Sequence, residues 1–218
     1  MIRRLIRICA GLVAALPWLY RAFIRPWHLR WGTTDEEAHG LMPGDGIVPH
    51  PLLEATRAVT IDAPPAAVWP WLVQMGYGRS GWYAYDCIDN RGVPSARTIV
   101  PELQDLKVGD LMPMGPASAW TVVALDPARL LVLEDHERTS WGQVDLSSVI
   151  RLEPGGQGRS RMVMRLRVDY SGGPLARLYM LVFEPGDFVM MRRMMLGIKT
   201  RAEADVQQKA DPDLRAAI

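Results

Sequence analysis

Residues 141–152 alternate without a break. Val144, Leu146, Ser148, Ile150 and Leu152 fall on one face, and Gln143, Asp145, Ser147 and Arg151 on the other. Side chains of a strand point to opposite faces with a period of two, so this run predicts a strand with one dry side. Residues 153–158 read as a glycine-rich hairpin loop. Residues 160–170 return, with Met162, Met164, Leu166 and Val168 opposite Arg161, Arg165 and Arg167. Two shorter runs, 120–125 and 130–136, precede them, each ended by a polar turn. The pattern predicts an open antiparallel sheet, apolar on one side and charged on the other. The dry face needs a cover.

That cover follows in the chain. Ser171-Gly172-Gly173-Pro174 breaks the sheet, and residues 175–183 read as a short apolar helix. Glu184-Pro185-Gly186 reads as a kink or restart, and a long helix runs from Asp187 to about Gln208. Phe188, Met191, Met195, Ile198, Ala202 and Val206 trace one stripe, widened by Met190 and Met194. Methionine and phenylalanine near its start fit a helix that grips a ligand. A plain core stripe would look the same.

Residues 56–89, TRAVTIDAPPAAVWPWLVQMGYGRSGWYAYDCID, predict a unit that closes one end of a cavity. Ala58 and Thr60 point one way and Val59 and Ile61 the other, as in a half-buried strand. Asp62 is the expected N-cap of a helix whose first turn holds Pro64 and Pro65. Val68, Trp69, Leu72, Val73 and Met75 give it an apolar face, Gly76, Gly78 and Gly81 end it, and Trp82-Tyr83-Ala84-Tyr85-Asp86 forms an aromatic turn.

The segments IDAPPAAVWPWLVQMGYGRSGWYAYD and SARTIVPELQDLKVGDLMPMGP resemble the START-like helix-grip superfamily (SRPBCC), the polyketide cyclase/dehydrase and lipid-transport group, from about Ala55 to Val206. The PELQDLKVGD and WYAYD blocks resemble a bacterial subgroup of unassigned activity. The resemblance implies an α+β fold in which a curved antiparallel sheet wraps a long C-terminal helix and leaves an apolar tunnel between them. It implies little about function, because carriers, cyclases and hydrolase-like enzymes share that scaffold.

The expected organisation is an apolar, arginine-flanked helix over residues 1–31, a linker over 32–54, the helix-grip domain over 55–208 and a frayed tail over 209–218. Arg3, Arg4 and Arg7 precede the apolar run 8–20, and Arg21, Arg25 and Arg30 follow it. As helix that run covers roughly 20 Å, short of a hydrocarbon core of ~30 Å. Trp18, Tyr20, Trp27 and Trp31 suit a headgroup boundary. A membrane-surface or partly inserted helix therefore ranks first, a helix packed on a partner or on the domain second, and a cleaved signal last. Thr33 or Thr34 is the expected cap of a short turn led by Asp35, Glu36 and Glu37.

A formal charge of +1 argues against nucleic acid as a partner. Cys9 and Cys87 lie in different contexts and no CxxC occurs, so no disulfide, metal or cofactor is expected. The compartment read from this is reducing, hence a cytoplasmic protein associated with a membrane through its N-terminal helix. Eight Trp and twelve Met against three Phe suit either a greasy cavity or a plain core.

No nucleophile elbow, zinc motif, phosphate loop or dinucleotide fingerprint is present. In Asp135-His136-Glu137, strand geometry separates the histidine from both carboxylates. The candidate site is the aromatic turn. Trp82 and Asp86 would share a face in a helical turn. Asp86 could accept a ligand hydroxyl or act as a general base with Tyr83, or it could bind a backbone N–H or an arginine such as Arg79. The expected ligand-binding set is Trp69, Trp82, Tyr83, Tyr85, Asp86, Trp120, Met164, Phe188, Met191 and Met195. The partner it predicts is a hydrophobic small molecule or lipid. The alternative is a cyclase, dehydratase or hydrolase acting on an apolar substrate in the same cavity.

Overall fold

The computed structural model describes residues 18–139 and 142–210. The first 17 residues, with Cys9 and most of the apolar run, lie outside the described residues, as does most of the expected tail. A π-helical turn, Tyr20–Ile24, leads into α1 (Arg25–Leu29), and α2 (Asp35–His39) follows. Thr34 caps α2: its Oγ accepts from the Glu37 N–H, while the Glu37 carboxylate accepts from the Thr34 N–H. Next come β1 (Leu53–Ile61), α3 (Pro65–Val73), α4 (Asp86–Asp89), β2 (Leu111–Pro113), β3 (Ala119–Asp126), β4 (Leu130–Thr139), β5 (Gly142–Gly155), β6 (Arg159–Gly172) and α5 (Pro174–Ala210).

The strands form one antiparallel sheet in the order β1-β6-β5-β4-β3-β2, and α5 lies across its concave side. This is the α+β helix-grip arrangement. Register arranges the concave face in rows. Leu133, Ser148, Leu166 and Ala55 stand side by side in one, and Leu131, Ile150, Met164 and Arg57 in the next. Opposite residues in an antiparallel pair share a face, so an arginine of β1 stands among apolar neighbours.

The outer face is not open. The segment expected as a linker packs on it, with Met42 and Ile47 meeting Ala58, Val132, Val149 and Val163 in a second apolar cluster. Gly44 comes so close that a Cβ there would stand 2.8 Å from Val132. The charges of that face serve as clamps. Arg161 makes paired hydrogen bonds to Glu37, and buried Arg165 reaches the Asp45 carboxylate and the Glu37 and Ala38 carbonyls. Side-chain alternation fixes which residues share a face; it does not say whether that face meets water.

Three local expectations differ from the structure. Pro64, not Asp62, is the N-cap of α3, and no side chain caps that helix. The Asp62 N–H donates to Glu203 of α5 instead. Trp82 and Asp86 do not share a helical turn, because Tyr85 is extended and α4 begins only at Asp86. The C-terminal helix does not restart after Pro185 but runs as one element of 37 residues. Proline removes one backbone hydrogen bond. Flanking side-chain ties hold the helix through that point, Glu184 bound by Arg25 and Tyr20, and Asp187 by Arg57.

Candidate functional site

A cavity of about 240 Å³ lies between the concave face and the first half of α5. The sheet contributes Trp120, Leu133, Leu146, Ser148, Ile150, Met164 and Leu166, and α5 contributes Phe183, Asp187, Met190, Met191 and Met194. Met75, Trp82, Ala84, Asp89 and Met114 close it from the connecting segments. Six of these residues are methionines, whose flexible thioethers fit irregular apolar shapes. No Lys, Arg or His is among the lining residues.

Two carboxyl groups interrupt the apolar wall. Asp89 ends α4, and both of its oxygens are buried with no side-chain hydrogen-bond partner among the described residues, only the Tyr85 and Asp89 backbone groups drawing on the carboxyl. Burial, with Asp86 close by, holds the Asp89 carboxyl above the ordinary carboxylate range. Asp187 differs because Arg57 Nη1 donates to it at 2.6 Å. Burial pushes the Asp187 carboxyl up, and the Arg57 guanidinium pulls the other way. Arg57 is wholly buried; its Nε–H donates to the His28 carbonyl and its guanidinium lies over the Phe188 ring. Asp187 therefore belongs to a structural pair, and Asp89 is the lining carboxyl without an ion-pair partner among the described residues.

Of the residues singled out from sequence, Trp82, Trp120, Met164 and Met191 line the cavity together. Met195 of α5 is fully buried in the core, and Phe188 packs on Trp27, His28 and Trp31 outside the cavity. Trp69 is half-buried against the core and Tyr85 is exposed beneath Arg193. Asp86 accepts from the Ser95 N–H and Oγ–H, so it holds a loop. Tyr83 is a buried clamp: Gln74 Nε2 donates to its hydroxyl at 2.9 Å, Ser80 Oγ stands at 2.8 Å, and Arg201 covers its ring. Burial raises the Tyr83 pKa, and the Ser80 and Gln74 hydrogen bonds oppose that rise. These contacts tie Tyr83 and Asp86 to the fold rather than to the cavity.

Sequence reasoning passed over Asp89 and Asp187. The signal for Asp89 was its position three residues after Asp86, one turn along the same short helix. The polar interruption at Ser148 in the apolar face of β5 was a second, unused pointer. Among the described residues no three His, Cys, Asp or Glu side chains gather as a metal site. Exposed His136 pairs with Asp145 at 2.7 Å on the outer side of the sheet.

The family model for polyketide cyclase / dehydrase and lipid transport matches residues 53–203. The chain belongs to this family. It is thus a START-like helix-grip protein, and the match begins where β1 begins and ends within α5. Solved structures similar to this family member include a conserved protein from Geobacillus kaustophilus, 14% identical, covering 69% of this chain and 95% of that one with a TM-score of 0.44. The Zhui aromatase/cyclase from Streptomyces sp. R1128 is 15% identical, covering 73% of this chain and 96% of its own with a TM-score of 0.41. No curated protein matches the chain.

Proposed function

We propose that this domain binds a compact hydrophobic molecule in the cavity beneath α5, beside a membrane surface. The observation that carries the reading is the buried Asp89 carboxyl, with no side-chain partner among the described residues, in a chamber that is mostly apolar. A buried polar group without a partner is costly, and a ligand hydroxyl or carbonyl would satisfy it. At 240 Å³ the chamber falls a little below the ~300–1,000 Å³ usual for ligand pockets. That size favours one ring system or a short chain over a two-tailed lipid. Six methionines support breadth of fit, with Asp89, beside Ser148 and the Arg57-bound Asp187, as the main point of polar selection.

Asp89 also supports a second reading, an enzyme of the cyclase, dehydratase or hydrolase kind, in which that carboxyl moves a proton at the substrate. The test is native mass spectrometry of purified protein, followed by extraction and identification of whatever co-purifies. A stoichiometric apolar compound supports binding. Incubating it with wild type and Asp89→Asn then separates the readings. Unchanged mass in both marks a carrier, and a product formed by wild type alone marks the enzyme. A protein that stays empty when offered a panel of apolar compounds contradicts both.

A further inference from the structure

Away from the cavity, the helical turns that end in α1 lie along the first turns of α5. Arg25 grips Glu184 through two nitrogens, and the Trp27 ring meets Phe188 edge-on at 5.2 Å. Both partners leave large apolar side chains in solvent. Phe23 is 64% exposed and Trp27 55%, while Leu175, Leu178 and Val182 are 63%, 58% and 68% exposed. The three α5 residues follow i, i+3, i+7 spacing, a stripe turned away from buried Ala176 and Met180. Grouped apolar exposure of this kind marks an interaction surface. Beside it opens a cleft of about 1070 Å³ whose charged lining is Arg21, Arg25 and Arg177 with one carboxylate, Glu184. Arg25 is engaged by Glu184, but Arg21 and Arg177 have no ion-pair partner among the described residues.

Apolar and tryptophan side chains beside unneutralised arginines are the chemistry of a surface that sits in the headgroup layer of an anionic bilayer. The sequence adds to this, because residues 1–17, which immediately precede this helix in the chain, carry Arg3, Arg4, Arg7 and an apolar run. We infer that the face shared by residues 18–29 and the first three turns of α5 docks on membranes containing anionic lipids, with the arginine cleft holding an anionic lipid headgroup. This rests on the membrane half of the preceding reading and not on what the cavity holds. It adds to residues 1–31 a second element, α5, whose next turns form the cavity wall. Docking would then set the cavity's own helix against the lipid layer.

The test is co-sedimentation of the full chain with vesicles of phosphatidylcholine alone and of phosphatidylcholine with phosphatidylglycerol. The expected result is binding to the anionic vesicles that weakens with salt. Arg21→Gln and Arg177→Gln should each lower affinity by about fivefold. Leu178→Glu with Val182→Glu should abolish it although residues 1–29 are untouched. These positions are exposed, and an unchanged melting temperature confirms that each variant folds. Failure of wild type to bind any vesicle overturns the membrane reading as a whole. Wild-type binding that the α5 and arginine variants leave unchanged overturns this inference alone. So would a Leu178-dependent dimer that ignores vesicles, or binding of free inorganic phosphate without binding of vesicles.

Discussion

Arg57 on β1 and Asp187 on α5 meet at 2.6 Å, joining the sheet's edge to the helix that covers it at the wall of the cavity. Arg57 is fully buried, so its charge has no recourse to water. Removing one partner of such a pair strands the other. Asp187→Ala is therefore expected to destabilise the fold by about 3–5 kcal/mol, lowering the melting temperature by roughly 10 °C. Arg57→Met combined with Asp187→Leu should recover most of that loss. A single substitution as mild as the double would show that the pair carries little.

Tyr83 sits against α5 so closely that a Cβ on Gly197 would lie 2.3 Å from the Tyr83 carbonyl oxygen. Gly197→Ala must push helix and loop apart, at a cost of about 1–3 kcal/mol. Tyr83→Phe leaves Gln74 and Ser80 short of a partner, at a similar cost of about 1–3 kcal/mol. Thermal melts measure both. Ligand affinity should stay unchanged in Tyr83→Phe, and its loss would return Tyr83 to the site.

Glu37 links the N-terminal segment to the sheet through Arg161, whose hydrogen bonds hold the carboxyl below its ordinary range. A depressed folded-state pKa means that the contribution is complete above the unfolded value of 4.5 and is lost as pH falls through the lower folded value. Protection of the amides of residues 33–48, measured against the intrinsic exchange rate at each pH, should therefore be high at neutral pH and fall in acid well below 4.5. Glu37→Gln should show low protection already at neutral pH, the charge-assisted clamp being worth about 2 kcal/mol. Equal protection in the variant would place the hold elsewhere.

The sheet was legible because alternation in β5 and β6 is clean and turn residues separate the runs. The helix stripe was legible for the same reason, at a period of 3.6. The partners of the arginines were not. Arg57 looked like one polar position in a half-buried strand, and nothing local indicates a carboxylate 130 residues later. The cavity was legible only in part. Period shows that Trp120, Met164 and Met191 face inward, yet Met195 faces inward too and is packed shut. Whether an inward side chain meets a void or a neighbour depends on the three-dimensional spacing of α5 from the sheet.

Asp89 gives the proposed site a pH signature. A neutral apolar ligand buries this carboxyl further, so binding favours the protonated form, whose range burial has already extended upward. Affinity for N-phenyl-1-naphthylamine should be highest at low pH and fall as pH rises through the raised Asp89 value. Asp89→Asn should flatten that slope. A slope that survives the substitution would assign the titration to another group.

The most direct measurement is a fluorescence titration of wild type and Ser148→Phe with that same neutral probe. Ser148 lies between Leu133 and Leu166 on the cavity floor, so a phenyl ring there occupies the ligand's volume without removing any core side chain. The account predicts saturable binding at one site in wild type. It predicts a loss of at least about tenfold in affinity for Ser148→Phe, with a melting temperature equal to or above the parent's. Equal affinity in the two proteins would mean that the probe binds elsewhere and that the chamber beneath α5 is not the site.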